Sequence, residues 1–106
     1  MMIKHCQKLN KGELDYEIDD TQKFIRLDKD YPASGNKGGR FDSFSKVPFE
    51  IINHIIRNRS VIETRDFVSV FQHNLSNNGP MLTAALLNEQ ILKRDSDGKY
   101  MVVRML

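Results

Sequence analysis

Residues 60–106 constrain the fold most, because their periodicity and punctuation read as helix, polar turn, helix and hairpin in unbroken order. The run TRDFVSVFQHN predicts a helix over residues 64–74, with Thr64 as its cap and Asp66 suited to the positive end of its dipole. Phe67, Val70, Phe71 and Asn74 trace one face, with apolar Leu75 one residue on. Ser60 with Glu63 offers an earlier capping box as an alternative start, and Val61-Ile62 could instead form a short strand. The turn LSNNGP leads into MLTAALLNEQILKR, a helix capped by Asn77, Asn78 or Gly79 ahead of Pro80. At about 100° per residue, Met81, Ala85 and Leu92 share one side, widened by Leu82, Ala84 and Ile91. Thr83, Gln90 and Arg94 share the opposite side, flanked by Leu86 and Leu87. Asp97-Gly98 is a tight-turn signal, and around it Tyr100, Val102 and Arg104 alternate with Met101, Val103 and Met105.

A third helix precedes this tail in VPFEIINHIIRN. Ser45 is its candidate N-cap, Pro48 suits a first turn, and Glu50 favours the positive helix end. Ile51, Ile52, Ile55 and Ile56 fall at helical spacing, and Arg57 and Arg59 close the helix where cations suit the dipole. Further upstream, Leu14, Tyr16 and Ile18 alternate with Glu13, Asp15 and Glu17. Asp19-Asp20-Thr21-Gln22 then reads as a turn before KFIRL, which gives a β-hairpin over residues 13–27. Lys23 and Arg26 on its second strand would pair across to the acids of the first. Residues 28–46, with Pro32, Gly35, Gly38 and Gly39, show no period and read as a loop, long enough to be functional or a linker. The expected organisation is residues 1–46 as a hairpin with a flexible basic loop, and residues 47–106 as the helical unit.

Composition allows one modest core in 106 residues, with 40% hydrophobic and 28% charged positions. The formal net charge is only +2, so any preference for an anionic partner must come from where the charges lie. The single cysteine, Cys6, excludes an intramolecular disulfide and suits a reducing compartment. No apolar run approaches the roughly 20 residues of a membrane span, and MMIKHCQKLNKGELD lacks the apolar stretch of a signal peptide. The expected location is cytoplasmic.

Catalytic and metal chemistry find little purchase. Glu17, Asp19 and Asp20 gather at a hairpin turn and read as turn residues solvated by water. His5, His54, His73 and Cys6 lack the paired spacing of metal ligands. No cofactor is expected and the chain reads as a non-enzyme. The stretch KGGR (residues 37–40) fits neither a P-loop nor a dinucleotide fingerprint. It reads as a surface loop or as a basic arm laid along phosphates by Lys37 and Arg40.

The order helix, helix-turn-helix, hairpin resembles the winged helix-turn-helix superfamily, whose members mostly bind DNA and sometimes proteins. The resemblance implies an α+β fold of three helices plus a C-terminal β-hairpin wing over residues 93–106, extended by the N-terminal hairpin and loop. The run FSKVPFEIINHII is also similar to the opening of DNA-binding domains in phage and plasmid replication initiators, which place aromatic-x-basic-Val-Pro before the first helix. The resemblance implies a non-enzymatic protein of transcription regulation or replication that binds duplex DNA as a homodimer on two half-sites. Its base readers would be Asn77, Asn78, Thr83, Gln90 and Arg94. Phosphate contacts would come from Arg65, Lys93, Lys99 and Arg104. The alternative is a protein–protein adaptor that docks through the leucine-rich face of the third helix, Leu86 and Leu87, or through the edge of the N-terminal hairpin.

Overall fold

The computed structural model describes residues 2–10, 12–27, 46–70, 78–95 and 97–106. Its elements are β1 (Met2–Gln7), β2 (Glu13–Asp19), β3 (Phe24–Leu27), β4 (Lys46–Pro48), α1 (Phe49–Ile56), β5 (Val61–Ile62), a 3-10 helix (Thr64–Val70), α2 (Asn78–Asn88), β6 (Leu92–Arg94) and β7 (Tyr100–Val102). The strands form a four-stranded antiparallel sheet in the order β1-β2-β3-β4 and a three-stranded sheet in the order β5-β7-β6. The chain is therefore α+β, but the expected winged helix-turn-helix with three helices plus a wing is overturned. Two α-helices are present among the described residues, and the C-terminal hairpin is not a free wing, because β7 pairs on its other side with β5.

The predicted hairpin over residues 13–27 forms as β2 and β3, but as the middle of a larger sheet. Asp19 builds its turn: its Oδ1 accepts from the amides of Thr21 (2.9 Å) and Gln22 (2.8 Å), and its carbonyl accepts from Lys23 N (2.7 Å). Lys23 closes the turn at φ 63°, in the left-handed region. These amide donors hold the Asp19 carboxyl below its ordinary value. β1 pairs with β2 from Met2↔Ile18 to Gln7↔Glu13. Lys46, assigned from the sequence to the loop, belongs to β4 and pairs with Arg26. Pro48 is extended at ψ 146° and stands just before α1.

In α1 the buried face is Phe49, Ile52 and Ile56, while Ile51, expected to join it, is 42% exposed. The middle helix of the tail is a 3-10 helix as far as it is described, shown by the i→i−3 bond from Asp66 N to Glu63 O at 3.0 Å. β-branched Thr64, Val68 and Val70 weaken α propensity there. Its start differs from both caps considered, since Asp66 Oδ2 reaches back to the amide of Glu63 (2.8 Å), which makes Glu63 the flanking residue. The alternative of a strand at Val61-Ile62 is the one observed.

The largest correction concerns the third helix. It stops at Asn88, and residues 92–94 are strand β6, so Gln90 and Arg94 share no helical stripe with Thr83. Gln90 N donates to Leu87 O (3.0 Å) and Ile91 N to Leu86 O (3.0 Å), with Gln90 left-handed at φ 63°. That pair of bonds is a Schellman stop, and the buried contact residues Leu86 and Ile91 seal it. Glycine usually fills the left-handed position; a glutamine there leaves no signal in the sequence. Every residue from Met81 to Leu86 is buried, as in a helix at the centre of a core. α2 packs on β1 and β3 of the large sheet, on β6 of the small one and on the 3-10 helix. A single hydrophobic cluster joins Leu14, Tyr16, Ile25 and Leu27 to Val47, Ile52, Phe67, Leu86, Ile91 and Tyr100.

Candidate nucleic-acid interface

Among the described residues, the C-terminal hairpin carries a group of four cations without carboxylate partners. Its turn is fixed by Asp95, whose Oδ1 accepts from Asp97 N (2.8 Å) and Lys99 N (3.0 Å), while Asp95 N donates to Lys99 O (2.9 Å). Gly98 supplies the positive φ, 79°, that such a reversal needs. In register, Lys93 faces Met101 and Arg94 faces Tyr100. The Arg94 guanidinium lies 5.7 Å from the centre of the buried Tyr100 ring. Arg104 donates to the carbonyls of Glu89 (2.8 Å) and Met105 (3.4 Å), so it is held in place without losing its charge to a carboxylate. Lys93, Arg94, Lys99 and Arg104 are all exposed. Among the described residues none of the four makes an ion pair. Residues 93–106 hold these four cations and two acids, Asp95 and Asp97, a surplus of two that equals the net side-chain charge of the whole chain.

The other expected readers are placed differently. Thr83 is fully buried and its Oγ1 donates to Gly79 O (2.8 Å), so it cannot meet a base. Gln90 is exposed but sits at the helix stop. Asn78 opens α2. Arg65 is exposed and already paired with Glu63 at 2.8 Å. Lys37, Arg40, Asn77, Ser45 and His73 lie outside the described residues. Leu86, half of the apolar flank proposed for a protein partner, is core, and Leu87 is half-buried against it.

A second constellation had no counterpart in the sequence reading. Just past α2, Glu89 Oε2 accepts from the Tyr16 hydroxyl and from Lys4 Nζ (2.9 Å), and Asn88 Nδ2 donates to the same hydroxyl at 2.8 Å. Burial pushes the Tyr16 phenol far above its ordinary value, and the Glu89 carboxylate adds to the effect against the Asn88 bond. Cys6, buried on the inward side of β1, is also pushed up, first by burial and then by the charges of Asp15 and Glu89. This network joins residues 72 to 85 positions apart, which no local pattern foreshadows.

On β1, His5 bonds through Nδ1 to Asp15 and through Nε2 to Glu13 (2.6 Å). Asp15 first and Glu13 second raise its pKa. On the same face of the large sheet Glu17, Arg26 and Lys46 form one cross-strand row, with Arg26 Nε 3.9 Å from Glu17. The cross-strand pairing expected between acids of β2 and Arg26 is thus present. Lys46 and Arg26 also flank the Phe24 ring at 4.3 Å and 5.2 Å. Among the described residues, no three His, Cys, Asp or Glu side chains are grouped to hold a metal ion, and no helix is long and apolar enough to cross a membrane. Comparisons with family models, with curated proteins and with solved structures found no match to this chain.

Proposed function

We propose that the protein is a non-enzymatic, duplex-DNA-binding protein that holds the phosphate backbone with its C-terminal hairpin. The observation that carries this reading is the set Lys93, Arg94, Lys99 and Arg104, four exposed cations on a braced hairpin with no carboxylate partner among the described residues. Unpaired ammonium and guanidinium groups release counterions from DNA on contact, which supplies sequence-independent affinity. Base reading from α2 has no support, because that helix is buried along Met81 to Leu86. Any sequence preference would come from Arg94, whose side chain Tyr100 orients at the hairpin. Binding as a homodimer, a cytoplasmic location, and a role in transcription control or replication complete the reading.

A second reading has one observation in its favour. Val61 and Met101 face each other across β5 and β7 and are 39% and 38% exposed beside Lys93. An acidic protein with an apolar edge would fit that surface. Fluorescence anisotropy with a labelled duplex at low salt separates the two. DNA binding that weakens steeply with salt supports the first; no binding to random or mixed-sequence duplexes removes it.

A further inference from the structure

The outward side of α1 exposes Glu50, Ile51, His54 and Arg57, leaves Ile55 half-buried, and has a distinct pattern. Glu50, Ile51, His54, Ile55 and Arg57 line a shallow cavity of about 410 Å³. Ile51 and Ile55 give it an apolar floor, and Ile51 is left 42% exposed because Phe49, Ile52 and Ile56 take the core. Glu50 and Arg57 mark its two ends, about 10 Å apart along the helix. Neither makes an ion pair among the described residues. On the helical wheel Glu50 and Arg57 fall on one flank of the outward face, Ile51 and Ile55 on the other, and His54 between them.

We infer that this face is the contact between two copies of the chain, packed α1 against α1 in antiparallel fashion about a two-fold axis near His54. Such an axis keeps each flank on its own side and reverses the helix direction. Glu50 then meets the partner's Arg57 and Arg57 meets the partner's Glu50. Ile51 likewise meets the partner's Ile55, and each contact occurs twice by symmetry. A different partner would have to present a base, an apolar pair and an acid in that order and spacing; α1 reversed already does. Because α1 has only eight residues, the contact lies at the small end of specific interfaces, so association is expected in the micromolar range.

This inference deepens the dimeric part of the reading above. Its test contains no DNA, so its failure leaves phosphate binding standing. The experiment is sedimentation equilibrium of the intact chain over about 5 to 500 µM at about pH 8, where an ordinary histidine is neutral. Unaltered protein should show a reversible monomer–dimer equilibrium. Glu50→Arg and Arg57→Glu should each weaken it by about tenfold or more, since each places like charges together twice. The double variant Glu50→Arg/Arg57→Glu should return to within about threefold of the original, because the swapped pairs re-form. Circular dichroism melts verify that each variant is folded. A monomer at every concentration, single variants that dimerise as before, or a double variant that stays weakened would each overturn the proposal.

Discussion

The two sheets use charge in opposite ways. On the large sheet three basic side chains stand beside carboxylates: Lys4 by Glu89, His5 by Asp15 and Glu13, and Arg26 by Glu17 in the facing strand, while Lys46 lies over the Phe24 ring. On the small sheet, among the described residues, Lys93, Arg94, Lys99 and Arg104 have backbone or ring contacts at most. The first arrangement ties strands and helix together; the second leaves charge available to an external anion. Total charge, nearly balanced at 16 basic and 14 acidic residues, conceals this division. Between the sheets runs α2, buried and joined to β1, β3 and β6, so the large sheet acts as the support on which the small one is mounted.

If the large sheet's charges are structural, removing them should cost stability. The largest effect is expected from Glu89→Ala, which takes the acceptor from the Tyr16 hydroxyl and the partner from Lys4. A loss of about 2 kcal/mol in urea unfolding is expected, most of it from the buried phenol, because Lys4 keeps water. In the Tyr16→Phe background the same substitution should cost clearly less. A Glu89→Ala variant as stable as the original would remove the clamp from the account. Gln90→Gly should act oppositely and more weakly, gaining about 0.5 to 1 kcal/mol by relieving a left-handed glutamine at the helix stop. A destabilised glycine variant would show that the Gln90 side chain is needed there.

The smallest effect should come from the exposed His5. Its folded-state pKa is raised by Asp15 and Glu13, so its contribution to stability is fully present below the unfolded value near 6.5. That contribution is lost as pH rises through the folded value. An NMR titration should place the imidazole midpoint above 6.5, and Asp15→Asn should lower it. A midpoint at or below 6.5 would contradict the paired geometry.

How far the sequence disclosed this molecule depends on the range of the interactions involved. The hairpin of β2 and β3 was legible because Leu14, Tyr16 and Ile18 alternate strictly with acids and Asp19 caps its own turn. The C-terminal hairpin was legible from Asp97-Gly98 and its alternation. β1 was not, because its inward side carries Lys4 as well as Cys6, and the lysine is explained only by Glu89, 85 positions away. The third helix reads six residues too long in the sequence because Ile91, Leu92 and Arg94 continue a helical period while the stop rests on a glutamine. The apolar spacing of residues 64–74 predicts an α-helix, whereas the described part, Thr64–Val70, is a 3-10 helix in which β-branched residues weaken α propensity. The cations of the candidate interface were visible as residue types. Which of them are neutralised is a property of the packed structure.

The central claim, that phosphate binding belongs to the small sheet, is tested most directly by comparing salt dependences of duplex binding. Two variants remove the same charge from different sheets: Lys93→Gln/Lys99→Gln from the small one and Lys8→Gln/Lys23→Gln from the turns of the large one. The slope of log affinity against log salt is expected to shrink by about 1.8 for the first, two phosphate contacts at about 0.9 each, and to stay unchanged for the second. Equal slopes for the two variants, or a larger loss from Lys8 and Lys23, would contradict it.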